Sequence, residues 1–288
     1  MPQFDATQIL LALAACTAAG LACHVLAMRL LTWRGITVRR TRFGLALLFD
    51  TTDADGTAVR MLNVGGAFQS VSYVEAALSC ELACEYQREQ ARIVSELPRL
   101  RHAVVIGGGG FSFPKWLVAH LTPVRVTTVE IDPAIIELAR ASFGVAAVEA
   151  HFAPSGRFEI VCEDGWEWLR TQGERVDLLV NEAFSGKRPL GPLACTEGAK
   201  LIREHLSEGG AYLATLRFPL EGRRSAALYE TLDTFAQEFA HVWLVPEFAA
   251  EPKRPGCNTL VCSNLDLAAA GCAPLVGHEW HPAEPVGR

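Results

Sequence analysis

Residues 103–132 read AVVIGGGGFSFPKWLVAHLTPVRVTTVEID, and this stretch decides the fold. An apolar strand leads into four consecutive glycines, a helix follows, and a second strand ends at the acidic residue Glu130. Glycines directly after a strand let the chain turn sharply with no Cβ to obstruct a ligand that approaches the backbone. A carboxylate at the end of the next strand typically accepts hydrogen bonds from both ribose hydroxyls. The pattern predicts the first half of a nucleoside-binding sheet.

The ends of two later strands identify the kind of nucleoside. Ser112 stands where a dinucleotide-binding turn would have a third glycine or alanine, which disfavours a pyrophosphate ligand. The strand at residues 158–162 is followed by Asp164, which can accept a hydrogen bond from an adenine amino group. The strand at residues 176–180 is followed by Glu182. We therefore expect an S-adenosylmethionine-type nucleoside at the carboxyl edge of the sheet.

Strands and helices alternate from residue 102 onward, which predicts a doubly wound α/β, Rossmann-like, mainly parallel sheet with helices on both faces. Short strands between residues 35 and 70 predict a small β unit before it. Residues 73–97 are predicted to form a helix, either continuous or broken near Ser79, that Pro98 ends. The expected domains are a hydrophobic helix at 1–34, the β unit at 35–70, the nucleoside-binding domain at 71–265 and a tail at 266–288.

Composition excludes several classes of protein. The chain has 288 residues of which 50% are hydrophobic, which is too apolar for disorder. Its net charge of −6 gives no general attraction to DNA or RNA, so we expect no nucleic-acid partner. Nine cysteines lie scattered without CxxC spacing. This usage is typical of a reducing compartment, and we expect no metal site.

The N-terminal segment is apolar enough to cross a membrane. Residues 9–28 read ILLALAACTAAGLACHVLAM, and twenty residues of helix span about 30 Å. Several arginines follow, which places the downstream domain in the cytoplasm by the positive-inside rule: Arg29, Arg34, Arg39, Arg40 and Arg42. We expect an anchor in the inner or cytoplasmic membrane. The alternative is a buried or oligomer-forming helix of a cytoplasmic protein.

Together these segments resemble the spermidine synthase (polyamine aminopropyltransferase) family over about residues 35–265. The segments that carry the resemblance are GGAFQS at 65–70, EYQRE at 85–89, VVIGGGG at 104–110, VEIDP at 129–133, CEDGWEWL at 162–169 and NEAFSG at 181–186. NEAFSG and GGGGFSFP are most similar to the branch in which such a domain is attached to membrane helices.

The resemblance implies a class I methyltransferase-like fold that binds S-adenosylmethionine or its decarboxylated form and transfers an aminopropyl group to a small amine acceptor. It also suggests a homodimer. Tyr86 and Gln87 would lie on the acceptor side, and Glu182 would be the base that removes the proton of the amine. The residues that would contact the co-substrate are Gly107, Gly108, Gly109, Glu130, Ile131, Asp164 and Gly165.

The chain departs from the family pattern at two positions. The family usually has an aspartate directly after its three glycines, where this chain has Gly110. The family also usually has two aspartates after the fourth strand, where this chain has Glu182 and Ser185. Fewer carboxylates weaken the expectation of a diamine acceptor. Two alternatives therefore stand beside aminopropyl transfer: methyl transfer from intact S-adenosylmethionine, and nucleoside binding without catalysis.

Overall fold

The N-terminal part of the chain is a long helix followed by a four-stranded antiparallel sheet. The structure is a computed structural model that describes residues 6–185 and 188–282. Helix α1 covers Ala6–Trp33. The small sheet has the order β1-β2-β3-β4, so each strand pairs with the next one along the chain. Its strands are β1 (Thr37–Thr41), β2 (Gly44–Thr52), β3 (Ala58–Val64) and β4 (Ala67–Tyr73).

A seven-stranded sheet of order β12-β13-β11-β8-β5-β6-β7 forms the rest of the fold, and it confirms the predicted doubly wound, mainly parallel architecture. The five strands from β11 to β7 are parallel, whereas β12 and β13 are antiparallel additions at one edge. A separate pair, β9 and β10, lies after β8. The strands are β5 (His102–Ile106), β6 (Arg125–Val129), β7 (Phe158–Val161), β8 (Val176–Asn181), β9 (Phe184–Ser185), β10 (Arg188–Pro189), β11 (Leu206–Phe218), β12 (His241–Val245) and β13 (Gly256–Ser263).

Within residues 6–185 and 188–282, seven α-helices cover the large sheet, and one of them is shorter than the sequence predicts. The helix predicted over residues 73–97 is interrupted, and its first part is wrong: β4 continues to Tyr73, which pairs with Val59 of β3, and Ala76–Leu78 form a 3-10 helix that ends at Ser79. Only Glu85–Ser95 is α-helical there. The helices are α2 (Glu85–Ser95), α3 (Ser112–His120), α4 (Pro133–Ser142), α5 (Val145–Phe152), α6 (Gly165–Thr171), α7 (Thr196–His205) and α8 (Ala226–Ala236).

The core lies on both faces of the large sheet. Every residue of the central strand β5 is buried, as is typical of a parallel strand covered on both sides. One face packs against α2 to α5 and the other against α6 to α8. Trp168 belongs to the second of these clusters, so its indole is a packing element. The apolar strands therefore form a rigid base for the loops at their carboxyl ends.

Polar contacts hold the small sheet against the helices that cover the large one. The N–H of Arg42, in the β1–β2 turn, donates to Oδ2 of Asp132 at 2.5 Å. The guanidinium of Arg60 donates to the carbonyl of Ser142 at 2.8 Å. At the start of α3 the hydroxyl of Ser112 donates to the carbonyl of Val71 at 2.8 Å. These contacts place β4 beside the glycines that follow β5.

The two ends of the described chain differ in how they pack. In helix α1 the window Cys16–Trp33 has a mean hydropathy of 1.3, and none of it is buried within the structure. Near the other end, the backbone of residues 278–280 pairs along the edge strand β12, with Trp280 donating to the carbonyl of Val242 at 2.7 Å. That pairing covers an edge that would otherwise be open. The predicted anchor and tail include residues 1–5 and 283–288, which lie outside the described residues, as does Gly186 of NEAFSG.

Candidate functional site

The predicted site residues follow four neighbouring strands. Strands β8, β5, β6 and β7 are adjacent and parallel, so their carboxyl ends meet at one edge of the sheet. Gly107 follows β5, Glu130 follows β6, Asp164 lies just beyond β7, and Glu182 follows β8. The structure therefore places all four together at the edge where open α/β sheets bind ligands.

Gly107 begins the glycine turn, which we define as residues 107–110. Its φ angle is +92°, a backbone conformation that side-chain-bearing residues rarely adopt. A Cβ at this position would lie 2.8 Å from the backbone nitrogen of Ala183 and 3.0 Å from the carbonyl carbon of Glu182. Glycine is therefore required twice, by the turn and by the close approach of the loop after β8. The same contact joins the glycine turn to Glu182.

Glu130 organises the glycine turn in this structure. Its Oε2 accepts hydrogen bonds from the backbone N–H groups of Gly108 at 2.7 Å and Gly109 at 3.4 Å. Its Oε1 accepts from the N–H of Asp132 at 2.9 Å. Burial raises the pKa of Glu130, and these three N–H donors oppose that rise. A carboxylate has about four acceptor positions, so binding of ribose hydroxyls by Glu130 stays a prediction.

The loop after β7 has a structural role of its own. Asp164 is the N-cap of α6, where its Oδ1 accepts from the N–H groups of Trp166 at 2.9 Å and Glu167 at 3.4 Å. Gly165 follows it, and a Cβ there would lie 2.4 Å from the side chain of Ile106. The cap fixes the position of the Asp164 side chain, which remains exposed. Ile131 is half-buried beside Glu130.

Glu182 lies in a cluster of neutral hydrogen-bond donors, which we call the Glu182 cluster. Its Oε1 accepts from Thr215 Oγ1 at 2.6 Å and Gln90 Nε2 at 3.2 Å, and its Oε2 accepts from the hydroxyl of Tyr86 at 3.3 Å. Gln87 also donates to this carboxylate. Burial raises the pKa of Glu182, while the four donors act in the opposite direction. A raised pKa makes a carboxylate a stronger base near neutral pH.

The structure brings Tyr86 and Gln87 to Glu182, but sequence reasoning missed Gln90 and Thr215. Gln90 lies one helical turn after Tyr86, and residues four apart share a helix face. Thr215 is placed by the sheet, because Asn181 of β8 pairs with Ala214 of β11. The helical spacing was a usable signal for Gln90. The strand register needed for Thr215 spans more than thirty residues and has no such local signal.

Gly110 marks the clearest departure from the family pattern. A Cβ there would lie 2.6 Å from the hydroxyl of Ser70 and 3.1 Å from the ring of Phe143. Ser70 on β4 therefore occupies the space into which a side chain at this position would extend. Ser185, at the other departure, lies in β9. Among residues 6–185 and 188–282, no group of three or more His, Cys, Asp or Glu side chains is arranged to hold a metal ion.

Comparison with known proteins supports the same family. Residues 86–228 match the family described as the spermine/spermidine synthase domain. A polyamine aminopropyltransferase of Neisseria meningitidis serogroup A is 30% identical over 113 residues, which are 39% of this chain and 41% of that protein. A polyamine aminopropyltransferase of Thermococcus onnurineus is 29% identical over 119 residues, 40% of each chain. The matches thus span about two-fifths of these relatives' length.

Solved structures with the same fold are similar over much more of the chain. A probable spermidine synthase from Corynebacterium glutamicum has a TM-score of 0.65 at 17% identity, covering 84% of this chain and 87% of its own. Spermidine synthase from Thermotoga maritima has a TM-score of 0.62 at 16% identity, covering 82% and 75%. At these identities the likeness establishes the fold. With the sequence matches, it shows that the chain carries a spermine/spermidine synthase domain of class I methyltransferase-like fold and is a homologue of the polyamine aminopropyltransferases.

Proposed function

We propose that the chain is an aminopropyltransferase that takes decarboxylated S-adenosylmethionine as co-substrate and a small amine as acceptor. The observation that carries this proposal is the join between the glycine turn and Glu182, at Gly107 and Ala183. A nucleoside bound at the glycine turn would have its reacting carbon at the same edge of the sheet as Glu182. The carboxylate of Glu182 is half-buried and held by four neutral donors. No described ion pair neutralises that carboxylate, so it suits a cationic substrate.

The residues at the edge of the sheet fit the nucleoside. Gly107 to Gly110 bring backbone, and no side chain, to the cleft, and the buried carboxylate of Glu130 fixes the direction of two turn N–H groups. Asp164 lies just beyond the end of β7, where it can accept a hydrogen bond from an adenine amino group. We assign co-substrate contact to Gly107, Gly108, Gly109, Glu130, Ile131, Asp164 and Gly165.

The reaction is a displacement at carbon. The acceptor nitrogen forms a bond to the carbon next to the sulfonium, the carbon–sulfur bond breaks, and sulfur keeps the electron pair as a neutral thioether. The nitrogen must lose a proton, and Glu182 accepts it as general base. Tyr86 and Gln87 hold the Glu182 carboxylate in one orientation, which positions the acceptor in line for attack.

Product formation from decarboxylated S-adenosylmethionine with a panel of amines tests this proposal. The wild-type protein and the Glu197→Gln control, a change of the same type at an exposed position of α7, should both form product. Glu182→Gln should lower kcat/KM about 10²- to 10⁴-fold, the usual contribution of a general base. Equal rates in all three proteins would remove Glu182 from the mechanism. Absence of product with every amine would refute aminopropyl transfer.

Methyl transfer from intact S-adenosylmethionine is a second candidate, because Ser70 and Phe143 fill the space at Gly110 where the family carries a carboxylate. Without that carboxylate, the co-substrate side has lost a group suited to the decarboxylated form. Release of S-adenosylhomocysteine from intact S-adenosylmethionine would identify this activity. Binding of either nucleoside without turnover would instead favour a non-catalytic nucleoside-binding protein.

We propose that α1 anchors the domain to a membrane, with the large sheet on the cytoplasmic side. The described side chains of α1 are exposed or half-buried, including Leu21, Leu26 and Trp33 at 64%, 70% and 78% exposure. Apolar side chains at this density on a soluble surface are unfavourable. The full chain should sediment with membranes, and Leu21→Arg/Leu26→Arg should weaken that association. Equal sedimentation of both proteins would contradict the anchor.

A further inference from the structure

A second carboxylate lies at the same edge of the sheet as Glu182. Glu247 follows β12, and its Oε2 accepts a hydrogen bond of 2.6 Å from the N–H of Cys257 in β13. Cys257 pairs with Arg217 of β11, two residues beyond Thr215, which donates to Glu182. Two residues along a strand cover about 7 Å and return to the same face. The strand register therefore sets Glu247 beyond Thr215, at the outer end of the Glu182 cluster.

The pKa values of two thiols, Cys84 and Cys257, also indicate that Glu182 and Glu247 lie near each other. Cys84 is the N-cap of α2, two residues before Tyr86, and Cys257 is the second residue of β13. The pKa of each thiol is raised to about 12, first by burial and then by nearby negative charge. Glu182 and Glu247 both contribute to that charge at both thiols. The half-buried space around Cys84 and Cys257 is thus negative from two directions.

Arg88 and Arg217 oppose this charge, since Arg88 lowers the pKa of Cys84 and Arg217 that of Cys257, but neither pairs with a carboxylate of the site. Neither Glu182 nor Glu247 forms an ion pair within residues 6–185 and 188–282. Arg217, opposite Cys257, is exposed, and Arg254 pairs with Glu251. Beside Glu182, the side-chain carbonyl of Gln90 is buried and has no hydrogen-bond partner among the described residues. An occupant rich in N–H donors and positive charge would satisfy all three groups.

We propose that Glu247 is a second cation anchor of the acceptor site, binding the distal ammonium of an amine whose reacting nitrogen lies at Glu182. This inference rests on the proposed function for the identity of the Glu182 site. Glu247 would then supply negative charge to a site that lacks a carboxylate at Gly110 and at Ser185. It would make the protein select acceptors with two or more ammonium groups over monoamines of the same length.

Glu247 also accepts from the N–H of Cys257 near the start of β13, so the test must separate charge from structure. Glu247→Gln does so, because the amide oxygen of glutamine can still accept from Cys257 while the negative charge is lost. Glu251→Gln is the matched control, since it removes one negative charge from the same loop at an exposed position. All three proteins are used as full-length chains.

Calorimetric binding of α,ω-diamines and of monoamines of equal length, at one fixed ionic strength, decides the proposal. A diamine has two equivalent ends, which alone favours it twofold. We expect the wild type and Glu251→Gln to prefer the best diamine by about tenfold or more, as for a hydrogen-bonded charge. In Glu247→Gln that preference should fall to about twofold. An unchanged preference in Glu247→Gln, a wild-type preference near twofold, or no binding of any amine would each overturn the proposal.

Failure of the proposed aminopropyl transfer can be distinguished from failure of the proposed Glu247 anchor. Diamine selectivity that depends on Glu247, without product from decarboxylated S-adenosylmethionine, would contradict aminopropyl transfer and retain the anchor. Product formation with a diamine preference that Glu247→Gln does not change would retain the transferase and reject the anchor.

Discussion

Glu130 and Glu182 follow strands β6 and β8, on either side of β5, and burial raises the pKa of both carboxylates. They differ in what holds them. Glu130 is held by backbone N–H groups, whereas Glu182 is held by the side chains of the Glu182 cluster. A contact to backbone persists when neighbouring residues change, but a contact to a side chain is lost with one substitution. The proposed nucleoside side of this fold is therefore set by the chain path, and the proposed acceptor side by individual residues.

The largest effect should come from the glycine that joins the two sides. Gly107→Ala would place a methyl group at φ +92° and 2.8 Å from the backbone of Ala183, which cannot move like a side chain. We expect a loss of about 3 kcal/mol in the free energy of unfolding, measured with urea. Gly56→Ala is the control, because Gly56 has φ +82° with open space around it and should cost about 1 kcal/mol. Equal losses would show that the contact with Ala183 contributes nothing.

Glu130→Ala should have the next largest effect on stability. It leaves the N–H groups of Gly108, Gly109 and Asp132 without their acceptor in a buried region. We expect a loss of about 2 kcal/mol in the free energy of unfolding. Glu137→Ala, on the exposed face of α4, should change it by less than about 0.5 kcal/mol. If the two variants unfold at the same urea concentration, Glu130 does not organise the turn.

Glu182→Gln should behave in the opposite way, with a dependence on pH. Because the pKa of Glu182 is raised in the folded protein, its contribution is fully favourable below the unfolded value of about 4.3 and is lost as pH rises through the folded value. Glutamine does not titrate. The Tm of Glu182→Gln relative to wild type should therefore increase from acidic to neutral pH in calorimetric scans. A constant difference across this range would mean that the carboxylate is not destabilised by burial.

Tyr86→Phe should have the smallest effect. It removes one of four donors to Glu182 and keeps the buried ring, so the fold should be unchanged. If Glu182 is the base, kcat/KM should fall about three- to tenfold, the usual value of one hydrogen bond. The pH at which kcat/KM rises should move upward, because this donor lowers the pKa of Glu182. A fall in rate without that shift would assign Tyr86 to acceptor binding alone.

Sequence reasoning reached the nucleoside side because its signals are local. The order of β5, the glycine turn, α3, β6 and Glu130 is contained in thirty residues, and each element leads directly to the next. Parallel strands then bring Asp164 and Glu182 to the same edge by a general rule. What the sequence could not show was that Glu130 contacts the turn N–H groups, because that depends on side-chain rotamers.

The proposed acceptor side was less predictable because its members come from distant parts of the chain. Thr215 and Glu247 reach the site only through the register of β8, β11 and β13. Gln90 lies in the part of the predicted helix that is α-helical, whereas at Tyr73 the pairing with Val59 outweighs local helical preference. Residues brought together by strand register over long separations leave no periodic pattern to detect.

The contact between Gly107 and Ala183 also has a thermodynamic consequence. A nucleoside that shifts the backbone at Gly107 must shift the segment that bears Glu182. The reason is that these two segments of the chain leave no room for even a methyl group between them. Any resulting change in affinity for the amine is necessarily returned in equal measure to the nucleoside. The two ligands would then bind cooperatively through the backbone contacts between these two segments, and the order of their addition would leave the combined affinity unchanged.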